Sequence, residues 1–288
     1  MIVCKSGREL AVMDEANRFV REVLDRLAAE ARPGLSTLEL DRIAEGMCRD
    51  ARVRPAFKGY RGYPASVCVS VNDEVVHGIP SAERLLREGD IASLDFGALL
   101  DGYYGDAAVT VPVGEVSAQA AHLLEVTREA LRLAVEEVRA GGRVSDVSAA
   151  VQRHAEGHGC AVVRDFVGHG IGTSLHEEPR VPNFGEPGRG PRLQEGMVLA
   201  IEPMLTLGSW RVRTDPDRWT VRTEDGSLAA HFEHSVAVTA EGPWVLGANE
   251  GPPASRRSAP GARGAQPERP RRVPGKAEGR PAGSPAAR

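Results

Sequence analysis

The chain has 288 residues, 41% of them hydrophobic and 26% charged, with a formal net charge of −4. That is enough to bury one large core or two modest ones, while charges and glycines break every apolar run short of the roughly 18 to 20 residues that cross a bilayer. Nine basic and three acidic side chains fall within 250–288, so this segment carries about +6 and the body about −10, a field that disfavours specific nucleic-acid binding.

The opening residues Ile2, Val3, Cys4, Lys5, Ser6, Gly7, Arg8 and Glu9 contain no apolar core of signal-peptide length. Cys4, Cys48, Cys68 and Cys160 lie far apart without a C-x-x-C pair, which signals neither a zinc ribbon nor a disulfide framework. Both features lead us to expect a soluble protein of the reducing cytoplasm.

In chain order, Leu10, Met13, Phe19, Val20, Val23, Leu24 and Leu27 predict a first helix that stops at Arg32-Pro33-Gly34. Ser36 and Glu39 form a capping-box signature for a second helix running toward Arg52. Strand-like stretches follow at 66–71, 90–96 and 103–111. The same order then recurs, with helices at 118–138 and 145–157 and strands at 198–201, 219–223 and 230–239. A repeated helix-helix-sheet unit predicts an internal pseudo-two-fold with the site between two sheets. We read 1–249 as the folded catalytic region. The segment 250–288 is dominated by Pro, Gly, Ala and Arg, and cannot bury enough to offset its ordering entropy, which predicts a disordered tail.

Asp95 ends one strand pattern and Asp106 sits in the next, joined through an Asp101-Gly102 turn signal. A hairpin would let both carboxylates face one side, where apolar neighbours make an ionised carboxylate costly without a counter-charge. A cation is one answer; a surface hairpin with solvated aspartates is the other. Glu202 follows the apolar run Val198-Leu199-Ala200-Ile201, and Glu233 is embedded in another strand pattern. Four carboxylates on core strands without matching Lys or Arg favour hard oxygen ligands around two cations. His169, in Gly168-His169-Gly170-Ile171-Gly172, is the candidate nitrogen ligand, read as part of a glycine-rich loop that leaves its imidazole accessible. His77 and His176 are placed nearby as neutral donors. Other chemistries lack their marks: His176-Glu177-Glu178-Pro179 has no second histidine for H-E-x-x-H, G-x-S-x-G does not occur, and Cys68 lies in a strand pattern rather than at a helix start.

These motifs resemble the type I methionine aminopeptidases of bacteria. The resemblance runs from about Arg8 to Gly247 and rests on 59–68 (GYRGYPASVC), His77-Gly78-Ile79-Pro80, Asp95 with Asp106, Gly168-His169-Gly170-Ile171-Gly172, His176-Glu177-Glu178-Pro179, Ile201-Glu202-Pro203-Met204 and Glu233-His234. It implies an α+β pita-bread fold, two pseudo-symmetric halves with antiparallel sheets flanked by helices. It also implies removal of an N-terminal methionine before a small second residue, by hydroxide attack at a dinuclear metal site. Asp95, Asp106, His169, Glu202 and Glu233 would be the ligands, with Asp106 and Glu233 bridging two divalent ions of Co, Mn, Fe or Zn. Glu202 would also relay a proton, His176 would bind the scissile carbonyl, and His77 would contact the amide nitrogen of the second residue. Tyr60, Tyr63, Cys68, Leu175 and Trp219 would form the methionine pocket. Leu175 and Phe57 depart from the Phe and Cys common there, a volume exchange in the pocket wall.

A monomer is the family default, and transient ribosome contact suits an enzyme that trims nascent chains. The rival readings are a pita-bread peptidase of X-Pro bonds, which usually carries a separate N-terminal domain, and a relative that has lost catalysis, which would lack metal ligands.

Overall fold

Two reciprocal serine–glutamate caps start the first half of the chain. Ser6 accepts from the Glu9 N–H while Glu9 accepts from the Ser6 N–H at the head of α1 (Gly7–Glu30), and Ser36 and Glu39 do the same for α2 (Thr37–Ala51). α1 buries Met13, Val20, Val23 and Leu27 at helical spacing. α3 (Ala118–Glu136) and α4 (Val144–Gly157) repeat the pair in the second half. The structure is a computed structural model that describes residues 2–248 and 251. The expected disordered tail therefore lies, apart from Gly251, outside the described residues.

One nine-stranded antiparallel sheet runs through both halves. We number its strands β1 (Arg54–Pro55), β2 (Cys68–Val71), β3 (Ile91–Leu100), β4 (Tyr103–Pro112), β5 (Gly168–Gly170), β6 (Glu177–Val181), β7 (Val198–Ile201), β8 (Glu233–Thr239) and β9 (Gly242–Val245). The spatial order is β1-β3-β4-β8-β7-β5-β6, with β2 paired to β3 and β9 to β8. β3 and β4 form the expected hairpin, closed by Asp101 and Gly102, both at positive φ as a two-residue turn demands. The site was expected between two sheets. Instead the halves join edge to edge, Glu233 and His234 of β8 pairing with Ala108 and Ala107 of β4, so the site lies on one face of a continuous sheet. Two smaller three-stranded sheets flank it, one of 161–162, 204–206 and 229–231, the other of 74–76, 212–214 and 221–223.

Strand alternation separates core from site. Leu94, Phe96, Ala98 and Ala107 pack with Val20, Val23 and Leu27 of α1 in one apolar cluster, and Leu199, Ile201, Val236 and Val238 pack with α3 and α4 in another. Asp95, Asp106 and Glu233 alternate with these residues and so point away from the helices. The long strand expected over 230–239 is interrupted at Phe232, leaving 229–231 in a small sheet and β8 in the large one. The short strands at 54–55, 161–162 and 168–170 carry too few residues to show a period-two pattern, and none was anticipated.

Candidate active site

The sheet register brings all five candidate ligands to one face. Asp95 pairs with Ala108 and Asp106 with Gly97, which makes the two aspartates diagonal neighbours. Glu233 also pairs with Ala108. Because His234 pairs with Ile201, the antiparallel register carries Glu202, one residue past β7, opposite Glu233. His169 pairs with Ala200, two residues before Glu202 and therefore on its face. The imidazole was expected on a loop, but Gly168–Gly170 is a strand. Its glycines serve close packing: a Cβ at Gly168 would strike the carbonyl oxygen of Ala200, and one at Gly170 that of Glu178.

The resulting cluster is electrostatically incomplete. His169 Nε2 lies 3.9 Å from Asp106 Oδ2 and 3.6 Å from Glu202 Oε1, and one donor atom each of Asp106, His169 and Glu233 falls within 4.8 Å of the others. His169 Nδ1 donates to the Gly170 carbonyl at 2.8 Å, which leaves the Nε2 lone pair facing the carboxylates. Asp95 Oδ1, Asp106 Oδ1 and Glu233 Oε1 are buried without a hydrogen-bond partner. Burial without counter-charge raises the Asp95 carboxyl to about 7 and Glu202 to about 8, and lifts Asp106 and Glu233 well above the usual carboxylate range. The same burial lowers His169 to about 3. Lone pairs converging on one another with no donor between them fit a divalent cation and little else.

Next to the cluster is a cavity of about 140 Å³. Phe57, Tyr60, Tyr63, Cys68, Leu175 and Trp219 form its apolar walls, while His77 and His176 join the carboxylates at its polar end. Trp219 meets Tyr63 edge to face at 5.1 Å and His77 at 6.2 Å. The Tyr63 hydroxyl is spent on the carbonyl of Gly78, at 2.9 Å, and burial raises the Cys68 thiol, so both present neutral surface to the cavity. The Tyr60 hydroxyl is hydrogen-bonded to His176 Nδ1 at 2.9 Å; in the tautomer where the hydroxyl donates, the His176 proton is on Nε2. His77 sits at positive φ, its ring against Phe166 at 5.6 Å. Burial holds His77 and His176 at about 4, so both are neutral near pH 7.

Comparison with known proteins narrows what such a site is. The pattern of metallopeptidase family M24 matches residues 11–240. The chain belongs to metallopeptidase family M24. It is 51% identical over 246 residues to the methionine aminopeptidase of Clostridium acetobutylicum, covering 85% of this chain and 98% of that one. The methionine aminopeptidase 1 of Bacillus subtilis is equally similar, with 85% and 99% covered. Among solved structures, the methionine aminopeptidase of Thermotoga maritima superposes with a TM-score of 0.85 at 45% identity, covering 86% of this chain and 99% of that one. The two-halved architecture is thus the pita-bread fold of the M24 metallopeptidases. Among the described residues no helix is long and apolar enough to cross a membrane.

One site residue of this M24 chain was not anticipated. His231 is 1% exposed, has neither ring nitrogen hydrogen-bonded, and points Nε2 at Glu202 Oε2 from 3.6 Å. Its only mark in the sequence is its place two residues before Glu233. Its strand partner, Met204, lies two residues after Glu202.

Proposed function

We propose that this chain is a methionine aminopeptidase, removing an N-terminal methionine from peptides and nascent proteins whose second residue is small. The carrying observation is four carboxylates and one imidazole on the sheet face that also floors an apolar pocket, with a buried, unpartnered oxygen on each of Asp95, Asp106 and Glu233. Asp95, Asp106, His169, Glu202 and Glu233 would hold two divalent ions of Co, Mn, Fe or Zn, which when bound polarise the scissile carbonyl and activate water at neutral pH.

The remaining work falls to side chains of this chain. The walls of Tyr60, Tyr63, Cys68, Leu175 and Trp219 take the unbranched thioether, with sulfur against aromatic faces, and exclude water from the first residue. His176, neutral and protonated at Nε2, donates to the carbonyl oxygen as negative charge develops there. His77, packed beside Phe166 and Trp219, contacts the amide nitrogen of the second residue. The Glu202 carboxylate takes a proton from the attacking water and hands it to the leaving amine.

Methionine release from Met-Ala-Ser and Met-Leu-Ser, with and without chelator, tests this reading for the wild type and Glu202→Ala. Release from the alanyl peptide alone, abolished by chelator and by the substitution, is expected. Chelator-resistant cleavage, or equal cleavage of both peptides, contradicts it.

A further inference from the structure

The segment before α1 carries a charge that the site does not use directly. Lys5 is a lysine with a side chain only 3% exposed, and its ammonium lies 2.6 Å from Glu177 Oε2, whose side chain is 11% exposed. A buried ammonium is costly unless paired and further hydrogen-bonded, and Nζ makes one additional bond, to the Val3 carbonyl at 3.2 Å. Glu9, at the head of α1, is engaged by Ser6 and by the Tyr103 hydroxyl at 2.6 Å. The backbone is built around this placement. The Lys5 N–H donates to the Gly196 carbonyl at 2.7 Å, and Gly196 in turn donates to Val238 of β8. A side chain at Gly196 would collide with the Lys5 backbone, and one at Gly172 with the Lys5 ammonium stem.

Glu177 uses its other oxygen on the loop that precedes it. Oε1 accepts from the Ser174 N–H at 3.2 Å and lies 3.5 Å from the Thr173 hydroxyl, while the Gly172 carbonyl accepts from Tyr104 at 2.8 Å. Between Ser174 and Glu177 come only Leu175 and His176, both of which line the cavity. The loop is thus tied at its start to β4 and at its end to Lys5, across 172 residues of sequence.

We propose that Lys5 is a positioning residue: through Glu177 it fixes the 172–177 loop so that Leu175 closes the pocket and His176 meets the scissile carbonyl. This role rests on the reading of the cavity as the methionine-releasing site. Neither Lys5 nor Glu177 lines the cavity, so the tether acts through geometry, where displacement of about 1 Å can cost on the order of 100-fold in rate.

The test compares Lys5→Met, Glu177→Gln and the double variant in the full-length chain. Single variants leave a buried charge unpaired, whereas the double variant removes both charges, which restores stability in comparable buried pairs. We expect the double variant to melt near the wild-type temperature yet release methionine from Met-Ala-Ser about tenfold to 100-fold more slowly, with kcat lowered and KM raised. Amide hydrogen exchange across 172–177 should rise in parallel. A double variant that is stable, fully active and protected in that loop would overturn the role while leaving the peptidase reading intact. Absence of methionine release by the wild type would remove the reading and, with it, the role.

Discussion

Glu202 and Asp95 would each be ionised in the unfolded chain above about pH 5, yet burial raises their carboxyls to about 8 and about 7 in the fold. The cation-free fold therefore binds more protons than the unfolded chain over that range, and its stability falls as pH rises through it. His77 and His169 act in the opposite sense: held at about 4 and about 3, they bind fewer protons in the fold and cost stability as pH falls below about 6.5. Between pH 6.5 and 8 each unfolded histidine gives up at most its remaining half charge, so the raised carboxyls dominate. Melting of chelator-treated protein should thus drop by a few degrees from pH 6.5 to 8, and saturating Mn²⁺ should abolish the drop. A melting temperature that is flat or rising without metal would mean that these carboxyls are already satisfied. Residue identity made Asp95, Asp106, Glu202 and Glu233 visible in the sequence, since acids inside strand patterns are expensive. His231 was not visible, because a buried histidine is usual in a core and its contact with Glu202 depends on Met204 pairing beside it.

At the level of elements, long segments announced themselves and short ones did not. The four helices carry 14 to 24 residues each, enough turns for an apolar stripe to repeat, and their caps are local chemistry. The expected C-terminal end of α3 and the start of α4 differ from the observed ones by two residues and one, where helix ends fray in any assignment. The strand of His169 has three residues and reads as a loop, because its glycines suggest freedom. Their real cause is backbone crowding against Ala200 and Glu178, which only the pairing reveals. Gly170→Ala should accordingly push β5 off its neighbour, displacing His169 and cutting methionine release by at least tenfold while the helices remain folded. Far-ultraviolet circular dichroism alongside the peptide assay checks this; full activity in Gly170→Ala would show that the close approach is dispensable.

For the whole molecule, the repeated helix-helix-sheet order was readable from periodicity alone, but the way the halves join was not. Pairing of β4 with β8 connects residues more than 120 positions apart, and no local pattern encodes such a register. It is this seam that turns carboxylates scattered along the chain into one cluster, with the pocket beside it and both helix pairs behind it. The central claim is that the cluster is a seat for two divalent cations. Counting Mn²⁺ by equilibrium dialysis on chelator-stripped protein tests it most directly, for the wild type and for Asp106→Asn with Glu233→Gln. We predict two ions per wild-type chain and none held tightly by the double variant; wild-type protein that binds no Mn²⁺, or a variant that binds as many ions as wild type, would contradict it.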